Sequence, residues 1–469
     1  MATYNPVTPR VVAELQQLVG VKNVTVEPDK MEPYSHDEVT DSRYHSMPEV
    51  VVFPETTAQI AQVVRLANKE RVPVVPRGAG TGLACGAVPV HRGIVLSLEY
   101  MNKIVEINVE SLYMVVEPGV RTEDVQKAAK AAGLFYAGDP CSGDSCFIGG
   151  NVATNAGGNR AVKYGTTRDQ VYAIEVVTPT GDIVNLGGRL EKVSTGYSLE
   201  QLIMGSEGTL GIITQVTLRL LPLPQYVVDL LAVFPTIESA IAIVGKIAKA
   251  GVTPTCVEFL DNVTIRGIER FLNEKLPFSE SCHYIIIQVE GKDEDDLDDK
   301  SALLDELCTG NGARSVLVAD PQQIWRARKA FTETVRFESL IMSKEDIVVP
   351  VDQIPQMMRD IAVLSEKYAM VTRTASHAGD GNIHLNILRC DMPEAEWDSK
   401  LDVFQHELYR IVYELGGKLS GEHGIGAKRL HLMQEVCNPV ELSMMRAIKK
   451  ALDPNLILNP GKIFDIIEE

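Results

Sequence analysis

The strongest constraint on the fold is a run of small residues and amides in the first half of the chain. It reads Ile148-Gly149-Gly150-Asn151-Val152-Ala153-Thr154-Asn155-Ala156-Gly157-Gly158-Asn159. Glycine has no Cβ, so such a run can bring several backbone N–H groups close to one ligand with little side-chain obstruction. A run this dense exceeds what an ordinary turn needs, and it predicts that the backbone contacts a bound molecule.

Two further glycine-rich segments lie in the same half of the chain. Pro76-Arg77-Gly78-Ala79-Gly80-Thr81-Gly82 follows a β-branched run, Val72 to Val75, which predicts a buried strand. Gly205-Ser206-Glu207-Gly208-Thr209-Leu210-Gly211 leads into a predicted strand from Ile212 to Leu220. One loop of this kind is equally well explained as a tight turn, but three of them favour a long ligand with several phosphates.

The common single-motif phosphate folds do not match this sequence. A nicotinamide-type fold places one Gly-x-Gly-x-x-Gly between a strand and a helix, with an acidic residue about twenty positions later. A P-loop needs Gly-Lys followed by Ser or Thr. Neither arrangement is present. The ligand is therefore expected to be held by several separate loops.

The bulk composition limits the class of protein. A chain of 469 residues exceeds what one hydrophobic core usually serves, and 45% apolar with 23% charged residues is typical of globular domains. A formal net charge of −18 disfavours binding to nucleic acid or to an acidic membrane. Met1 to Arg10 lacks a signal-peptide pattern, and no apolar run suits a bilayer. We therefore expect a cytoplasmic protein, with any membrane association made through a partner.

The eight cysteines do not form a cofactor pattern. No Cys-x-x-Cys pair occurs, so neither an iron-sulfur cluster nor a zinc ribbon is encoded. Cys141 and Cys146 are the closest pair, and we expect them to be small side chains buried against a ligand, with a redox role as the alternative.

The order of predicted elements indicates an α+β fold with mixed sheets. Helical spacing begins at Thr56 and again at Thr122, and each helix lies between predicted strands. The two prolines of the segment from Leu220 to Gln225 predict a domain boundary. Beyond it, strands such as Tyr284 to Val289 alternate with amphipathic helices. The two clearest are predicted from Pro321 to Phe337 and from Asp352 to Tyr368.

A histidine motif in the second half of the chain has the character of a metal site. His377 and His384 flank a Gly-Asp-Gly turn, so the chain can fold back and present both imidazoles to one point. A carboxylate can come from Asp380 inside the turn or from Glu422, which precedes His423. Two imidazoles and one carboxylate form a three-ligand site with open positions, as catalytic metals use.

The glycine-rich motifs resemble the FAD-binding fold of the vanillyl-alcohol oxidase/PCMH superfamily. The similarity is carried by Pro76 to Gly82, Asp139 to Asn159, Gly205 to Ile213 and the closing Asn459-Pro460-Gly461-Lys462. Within the superfamily, the chain is most similar to the group of glycolate oxidase subunits, D-lactate dehydrogenases and D-2-hydroxyglutarate dehydrogenases. The resemblance spans nearly the whole chain.

This resemblance implies a PCMH-type FAD-binding domain of two α/β subdomains in residues 1–222. It implies an inserted α+β substrate (cap) domain with an antiparallel sheet in residues 223–417. Residues 418–469 are then expected to close the active site and return to the FAD domain. Because the first loop has no His or Cys to tether a flavin, non-covalent FAD is expected, with Cys85 just beyond it as the residue that could overturn this.

The resemblance also implies which residues contact FAD. They are Pro76, Arg77, Gly78, Ala79, Gly80, Thr81, Gly82, Pro140, Ser142, Gly149, Gly150, Asn151, Ala153, Thr154, Asn155, Gly157, Gly158, Glu207, Gly208, Ile212 and Asn459.

By the same resemblance, His377, His384 and Glu422 bind a divalent metal, which is zinc, manganese or iron(II). Asp380 remains the rival carboxylate, although a turn or an outer hydrogen bond explains it as well. His423 is expected to be the general base that takes the substrate hydroxyl proton.

Four further residues are expected to bind the substrate carboxylate. Arg328 and Lys344 match positions that the family uses, and Thr332 lies one helical turn beyond Arg328. Asn386 lies two residues past His384 on a predicted strand and so faces the same side.

The implied reaction is the oxidation of a D-2-hydroxy acid to a 2-oxo acid, with hydride transfer to flavin N5. D-lactate is the first choice of substrate, with D-2-hydroxyglutarate and glycolate as alternatives. Electrons are expected to pass to a partner, either an electron-transferring flavoprotein or an iron-sulfur subunit. Two other classes compete with this interpretation: a flavin electron-transfer subunit whose substrate site is vestigial, and a metallohydrolase with glycine-rich loops.

Overall fold

The computed structural model describes residues 4–466, and the chain divides into two compact units. Unit 1 comprises the chain up to Ala156, the segment Thr166–Leu223 and the segment from His423 onward. Unit 2 comprises Gly157–Gly165 and Pro224–Glu422. A short segment of the glycine-rich run therefore belongs to the second unit.

Unit 1 contains two main sheets. The first has four strands in the order β1-β2-β4-β3, and the second has five antiparallel strands in the order β5-β6-β10-β8-β9, with β7 and β11 forming a separate pair. The strands are β1 Val24–Thr25, β2 Val50–Val52, β3 Val74–Arg77, β4 Ile94–Ser97, β5 Ile104–Asn108, β6 Tyr113–Val116, β7 Leu134–Phe135, β8 Val171–Val177, β9 Ile183–Gly187, β10 Ile212–Arg219 and β11 Leu221–Pro222.

Helices pack against these sheets or connect their strands. They are α1 Pro9–Val19, α2 Pro28–Met31, α3 Thr57–Glu70, α4 Thr122–Ala131 and α5 Ile148–Thr154 in the first segment, α6 Ala161–Tyr164 in unit 2, and α7 Leu199–Ile203 in unit 1. Short 3-10 helices span Val21–Asn23, Glu32–Tyr34, Ser42–Tyr44 and Thr167–Gln170.

Helix α3 shows how the sequence specifies these elements. Thr56 caps it, because its hydroxyl accepts a hydrogen bond from the backbone N–H of Gln59. The predicted apolar stripe is buried, including Ile60 and Val64 at 0% exposure. The following strand was expected at 72–75 but is Val74–Arg77. The later start follows from Pro73, which has no N–H to donate to a strand ladder.

Unit 2 is built on one seven-stranded antiparallel sheet with the order β15-β12-β14-β13-β17-β18-β16. The strands are β12 Tyr226–Phe234, β13 Cys256–Leu260, β14 His283–Gly291, β15 Ser315–Val318, β16 Met342–Val348, β17 Val371–His377 and β18 Asn382–Leu388. The mixed α+β architecture expected from the sequence, with an antiparallel sheet in its second half, is confirmed.

The helices of unit 2 differ from the predicted ones in two places. The helix expected from Pro321 to Phe337 is two helices, which meet at Ala330, where ψ is −10° and the helical ladder breaks. The helix expected from Asp352 begins as a 3-10 turn and becomes α-helical only at Ile354, where Pro355 occupies a favoured first-turn position.

The remaining helices complete the fold. They are α8 Ile237–Lys249, α9 Asn262–Leu272, α10 Glu294–Gly310, α11 Pro321–Lys329, α12 Phe331–Glu338, α13 Ile354–Tyr368 and α14 Glu394–Glu414 in unit 2, then α15 Leu430–Val436 and α16 Pro439–Leu452 in unit 1. Within residues 4–466, no helix combines the length and the apolar character that crossing a bilayer requires.

A buried ion pair anchors the C-terminal segment within unit 1. The Lys449 ammonium donates hydrogen bonds to the Asp453 carboxylate at 2.6 Å and to the carbonyls of Thr209 and Leu458 at 2.7 Å each. Asp453 is fully buried and also accepts a hydrogen bond from the Leu458 N–H at 2.9 Å. One lysine therefore joins the third glycine-rich loop to the segment that leads into Asn459.

We predict that Lys449→Met destabilises unit 1 by about 3–5 kcal/mol, because it leaves the Asp453 carboxylate buried without its cation. Urea unfolding followed by circular dichroism measures the change. Lys450→Met is the matched control, since Lys450 is the next residue on the same helix and is exposed. Equal unfolding midpoints for the two variants would contradict the anchoring role.

Candidate active site

In unit 1, the second and third glycine-rich loops are joined by backbone hydrogen bonds. The N–H of Gly205 donates to the carbonyl of Val152 at 3.0 Å, and the N–H of Glu207 donates to the carbonyl of Ala153 at 2.8 Å. Both acceptors lie on α5, which is formed by the glycine-rich run itself. Two of the segments singled out in the sequence are therefore adjacent.

Asn459 connects the C-terminal segment to the same place. Its amide nitrogen donates to the carbonyls of Glu207 at 2.7 Å and Gly86 at 2.9 Å, and its backbone N–H donates to Val74 in β3. Its side-chain oxygen is buried and has no hydrogen-bond partner among the residues that the structure describes. Buried polar atoms are normally satisfied, so an unpaired acceptor here suits a site that binds a further polar group.

The loops approach one another closely enough to require glycine. A Cβ on Gly208 would lie 2.7 Å from Cγ of Pro76, and Gly208 also has a positive φ of 69°. A Cβ on Gly150 would meet no atom of the protein within 4 Å. Open space therefore lies beside the backbone of the glycine-rich run at Gly150. These features fit a cradle for a long, phosphate-bearing cofactor such as FAD.

Two residues of the expected FAD set direct their side chains elsewhere. The Arg77 guanidinium donates to the carbonyls of His36 at 2.7 Å and Pro33 at 2.9 Å, so it anchors the N-terminal segment. The Glu207 carboxylate is buried and accepts hydrogen bonds from the N–H groups of Ile425 at 2.8 Å and Gly426 at 2.7 Å. Burial raises the pKa of Glu207, while these two N–H groups act to lower it. Each of these two side chains therefore has a structural role within unit 1, and contact with FAD through their backbone or side chain stays a prediction.

The other residues of the expected set keep the loops in shape or line them. The Asn151 amide donates to the Thr122 hydroxyl at 2.7 Å, and the Thr154 hydroxyl donates to the Gly150 carbonyl at 3.1 Å. The Asn155 side-chain oxygen accepts from Thr166. The half-buried or exposed members of the loops are Ala79, Gly80, Thr81, Gly82, Pro140 and Ser142, and the buried ones include Gly149 and Ile212. Gly157 and Gly158 lie in unit 2.

The cysteine expectations are only partly met. Cys146 is buried, but Cys141 is exposed, so the expectation that both are buried is wrong. The difference arises because Pro140 to Cys146 forms a surface turn in which the Ser142 carbonyl accepts hydrogen bonds from the N–H groups of Ser145 and Cys146.

Cys85 is the residue that could tether a flavin covalently. It is buried, and burial raises the pKa of its thiol far above the ordinary value, which makes the thiol a poor nucleophile.

In unit 2, strand register brings the histidine motif onto one face of the sheet. In β17 and β18, Ala375 lies opposite His384. In β16, Asp346 lies opposite His384, and in β13, Glu258 lies opposite His377. Directly paired residues of antiparallel strands project to the same face. The sheet therefore collects two imidazoles and two carboxylates on one surface.

Glu422 completes a compact cluster with the two histidines. Its Oε1 lies 3.4 Å from His384 Nε2 and 3.8 Å from His377 Nε2. The two imidazole rings lie edge to face with centroids 4.9 Å apart. His377 is 2% exposed, and its Nε2 makes no hydrogen bond to any described residue. Two imidazoles and a carboxylate are the residue types that a three-ligand metal site uses.

Two outer carboxylates support these side chains, and sequence reasoning missed both. His377 Nδ1 donates to Glu258 at 2.7 Å, and His384 Nδ1 lies 3.7 Å from Asp346. Asp346 also accepts the backbone N–H of Glu422 at 2.9 Å. The available signal was the single carboxylate Glu258 in the otherwise apolar or small residues of β13, whereas Asp346 lies among other charged residues in β16 and gave no such signal. Carboxylates bound to the far side of ligand histidines are a regular feature of metal sites.

Asp346 also offers an alternative ligand set. Ligand atoms of Asp346, His384 and Glu422 lie within 4.8 Å of one another. However, the Asp346 carboxylate already accepts hydrogen bonds from Asn382 at 2.8 Å and Ser420 at 2.6 Å. We therefore favour it as a support for the cluster rather than as a ligand. His377, whose inner nitrogen makes no such bond, is the better third donor.

Asp380 has the role of a turn residue. Its carboxylate accepts a hydrogen bond from the N–H of Asn382 at 3.1 Å, and burial raises its pKa to about 6.

The pKa of His377 depends on its neighbours. Burial by itself lowers this pKa, but Glu258 and Glu422 act in the opposite direction and hold it well above the ordinary value. The cluster is thus strongly attractive to positive charge, which a metal cation or a proton can supply.

Basic and amide side chains lie next to this cluster. The buried Arg328 donates through Nε to Glu258 at 2.7 Å. Lys344 lies opposite Asn386 in the sheet, two pairs along from Asp346 and His384 and therefore on the same face. Thr332 is exposed and belongs to α12, whereas Arg328 is buried in α11, so the expected single helix with both on one face is wrong. His423 follows Glu422 directly and begins the last segment of unit 1.

Comparison with known proteins supports the interpretation of both units. The family described as "FAD binding domain" matches residues 48–187, and the family described as "FAD linked oxidases, C-terminal domain" matches residues 223–463. The p-cresol methylhydroxylase structure with bound substrate superposes with a TM-score of 0.83 at 19% identity, covering 99% of each chain. At that identity the similarity shows the fold alone.

Several named relatives align over nearly their full length. A D-lactate dehydrogenase of Anaerostipes hadrus is 38% identical, with 98% of each chain covered. The glycolate oxidase subunit GlcD of Bacillus subtilis is 36% identical, covering 98% of this chain and 97% of that one. A D-2-hydroxyglutarate dehydrogenase of Stutzerimonas stutzeri is 33% identical, covering 97% and 99%.

The resemblance inferred from the glycine-rich motifs is confirmed by these matches, and so is the PCMH-type fold. One family model covers the first two glycine-rich segments, and the other covers the histidine cluster and Asn459. This chain belongs to the family of FAD-linked oxidases and is an FAD-dependent oxidoreductase.

Proposed function

We propose that this protein binds FAD non-covalently and oxidises a small D-2-hydroxy acid, D-lactate first, to the 2-oxo acid with the help of a divalent metal. The observation that carries the proposal is the cluster of His377, His384 and Glu422, in which Glu422 Oε1 lies within 3.8 Å of Nε2 of each histidine. The names of the relatives agree with it, since D-lactate, glycolate and D-2-hydroxyglutarate all carry a hydroxyl next to a carboxylate.

We assign each group to residues of this chain. His377, His384 and Glu422 would hold zinc, manganese or iron(II), which acts as a Lewis acid on a hydroxyl when bound. The glycine-rich loops of unit 1 and Asn459 would hold FAD, which supplies a hydride acceptor when bound. Cys85 does not oppose non-covalent binding, because its thiol is buried and its pKa is raised.

The remaining side chains of the site recognise the substrate and move its proton. Arg328, Lys344 and Asn386 supply the donors that a carboxylate accepts. His423, which follows Glu422 in the chain, takes the hydroxyl proton, because an imidazole is a suitable base near neutral pH. Removal of that proton raises the electron density at C2 and favours loss of its hydride.

D-2-hydroxyglutarate is a second candidate substrate because of Arg373. Arg373 lies opposite Asn386 in β17, so Lys344, Asn386 and Arg373 form one row across three strands. Its guanidinium pairs with Glu338 at 2.8 Å, and Arg270 binds the same carboxylate at 3.0 Å. Two cations on one carboxylate leave net positive charge near the row, which suits a second carboxylate at the far end of a substrate.

We further propose that the reduced flavin passes its electrons to a partner redox protein, either an electron-transferring flavoprotein or an iron-sulfur subunit. One relative at 36% identity is itself described as a subunit of glycolate oxidase. A pull-down from native lysate that recovers no redox protein would count against this.

We predict that the purified protein is yellow and that D-lactate bleaches its flavin band under anaerobic conditions. Pretreatment with a chelator should abolish the bleaching, because the Lewis acid at the histidine cluster is removed, and added Zn²⁺ or Mn²⁺ should restore it. Absorbance spectra with D-lactate, L-lactate, glycolate and D-2-hydroxyglutarate measure this directly.

The same spectra separate the alternatives. Faster bleaching by D-2-hydroxyglutarate would reverse the order of substrates. It would also favour the row of Lys344, Asn386 and Arg373 as the binding site for the second carboxylate of that substrate. A yellow protein that none of the acids reduces would favour an electron-transfer subunit. A colourless preparation that cannot be reconstituted with FAD would contradict the proposal.

We predict that His423→Gln slows anaerobic flavin reduction by about 10²–10⁴-fold, the usual contribution of a general base, while the flavin content stays unchanged. Stopped-flow absorbance at saturating substrate measures the rate. His431→Gln is the matched control, because His431 is an exposed histidine of the same unit. Reduction of the His423 variant at the wild-type rate would remove His423 from the mechanism.

A further inference from the structure

We propose that Glu258 is a positioning residue that couples metal binding to recognition of the substrate carboxylate. The inference rests on the proposed function, because it concerns one residue that contacts both His377 and Arg328. Nothing in the glycine-rich or histidine motifs points to Glu258.

Glu258 uses its two oxygens for two different partners. Oε1 accepts a hydrogen bond from Nδ1 of His377 at 2.7 Å, and Oε2 accepts one from Nε of Arg328 at 2.7 Å. The carboxylate is 0% exposed, and its partners are 2% and 5% exposed. In β13, the residues around it are apolar or small, namely Cys256, Val257, Phe259 and Leu260.

A buried carboxylate in such a strand must be stabilised by specific partners. Burying a charge costs several kcal/mol unless it is paired and hydrogen-bonded. His377 and Arg328 supply the two hydrogen bonds that offset this cost. Glu258 therefore depends on the same two residues that it holds in place.

The contact with His377 decides which ring nitrogen faces the cluster. Because the carboxylate accepts the Nδ1 proton, the lone pair of neutral His377 lies on Nε2. That nitrogen points at Glu422, 3.8 Å from its Oε1. The backbone reinforces this arrangement, since Glu258 lies directly opposite His377 in the β13–β17 pairing.

The contact with Arg328 fixes the plane of the guanidinium. A guanidinium has five N–H donors in a rigid fork, and binding at Nε determines where the others point. Glu258 also balances the charge of Arg328 in the absence of substrate. An incoming carboxylate therefore meets an arginine that is already oriented and that shares its charge with Glu258.

A single carboxylate with two partners makes the two sites interdependent. If either bond is lost, Glu258 relaxes towards the remaining partner, so a change at one site alters the other. A purely structural role predicts instead that only the stability of the unit changes. The two roles can be distinguished because metal affinity and substrate KM can be measured separately.

The test is Glu258→Gln in the FAD-loaded full-length protein. An amide of the same shape has one acceptor oxygen, so it can keep only one of the two bonds. Without substrate, we expect the affinity for Zn²⁺, measured by calorimetry on chelator-treated protein, to fall by about 10- to 100-fold. At saturating Zn²⁺, the KM for the reducing hydroxy acid should also rise.

Glu345→Gln is the matched control. Glu345 is 1% exposed and lies on β16 of the same sheet, where it accepts hydrogen bonds from Gln405 at 2.8 Å and Tyr409 at 2.5 Å. Its neighbours in the strand alternate faces, so it points away from the cluster. This variant removes a buried carboxylate without touching His377 or Arg328, and its Zn²⁺ affinity and KM should not change.

The outcomes separate the inference from the proposed function. If the wild-type protein binds none of Zn²⁺, Mn²⁺ and Fe²⁺, the proposed function fails; if it binds only Mn²⁺ or Fe²⁺, the same two measurements are made with that ion. If it binds Zn²⁺ and Glu258→Gln binds equally well, the positioning role is wrong. Weaker Zn²⁺ binding with an unchanged KM overturns the coupling. If Glu258→Gln does not fold, Glu258→Asp replaces it, because the shorter carboxylate cannot reach both partners and the same two changes are expected.

Discussion

The antiparallel pairing of β13, β17, β18 and β16 is the constraint on which the candidate active site depends. It places Glu258 beside His377, and Asp346 beside His384. Side chains in a strand alternate between faces, so a shift of one residue in any of these pairings would turn one member of the cluster to the opposite face. The chemistry of the site is therefore a property of sheet register as much as of the residues themselves.

The same face explains how so many polar groups can be buried together. Each imidazole has a carboxylate on its outer side, and Glu422 lies between the two rings. The carboxylates compensate the positive charge of the imidazoles, and Glu422 Oε1 lies within 3.8 Å of Nε2 of each ring. The cluster therefore suits a metal.

In unit 1, the candidate binding region is formed mainly by backbone. Gly208 packs so closely against Pro76 that a Cβ would not fit, and Asn459 donates a hydrogen bond to the carbonyl of Glu207 in the same loop. These glycine-rich loops suit a phosphate-bearing cofactor.

The sequence predicted those parts of the site whose residues are close together in the chain. The glycine runs and the pair His377 and His384 were recognisable because turn residues and ligand residues occur within one short segment. The helix from Pro321 was predicted too long, and the side-chain direction of Arg77 was not predicted. Both depend on contacts with distant segments, which a local pattern does not contain.

The sequence by itself determined the family, the α+β architecture and the residue types of the two binding regions, because glycine density and histidine spacing are local properties. Only the tertiary structure decided that Glu258 and Asp346 support the histidines, that Arg328 pairs with Glu258, and that Glu207 holds the N–H groups of Ile425 and Gly426. These partners are separated by tens to hundreds of residues, so their contacts arise from strand pairing and loop packing. No spacing rule in one sequence specifies which buried carboxylate meets which cation.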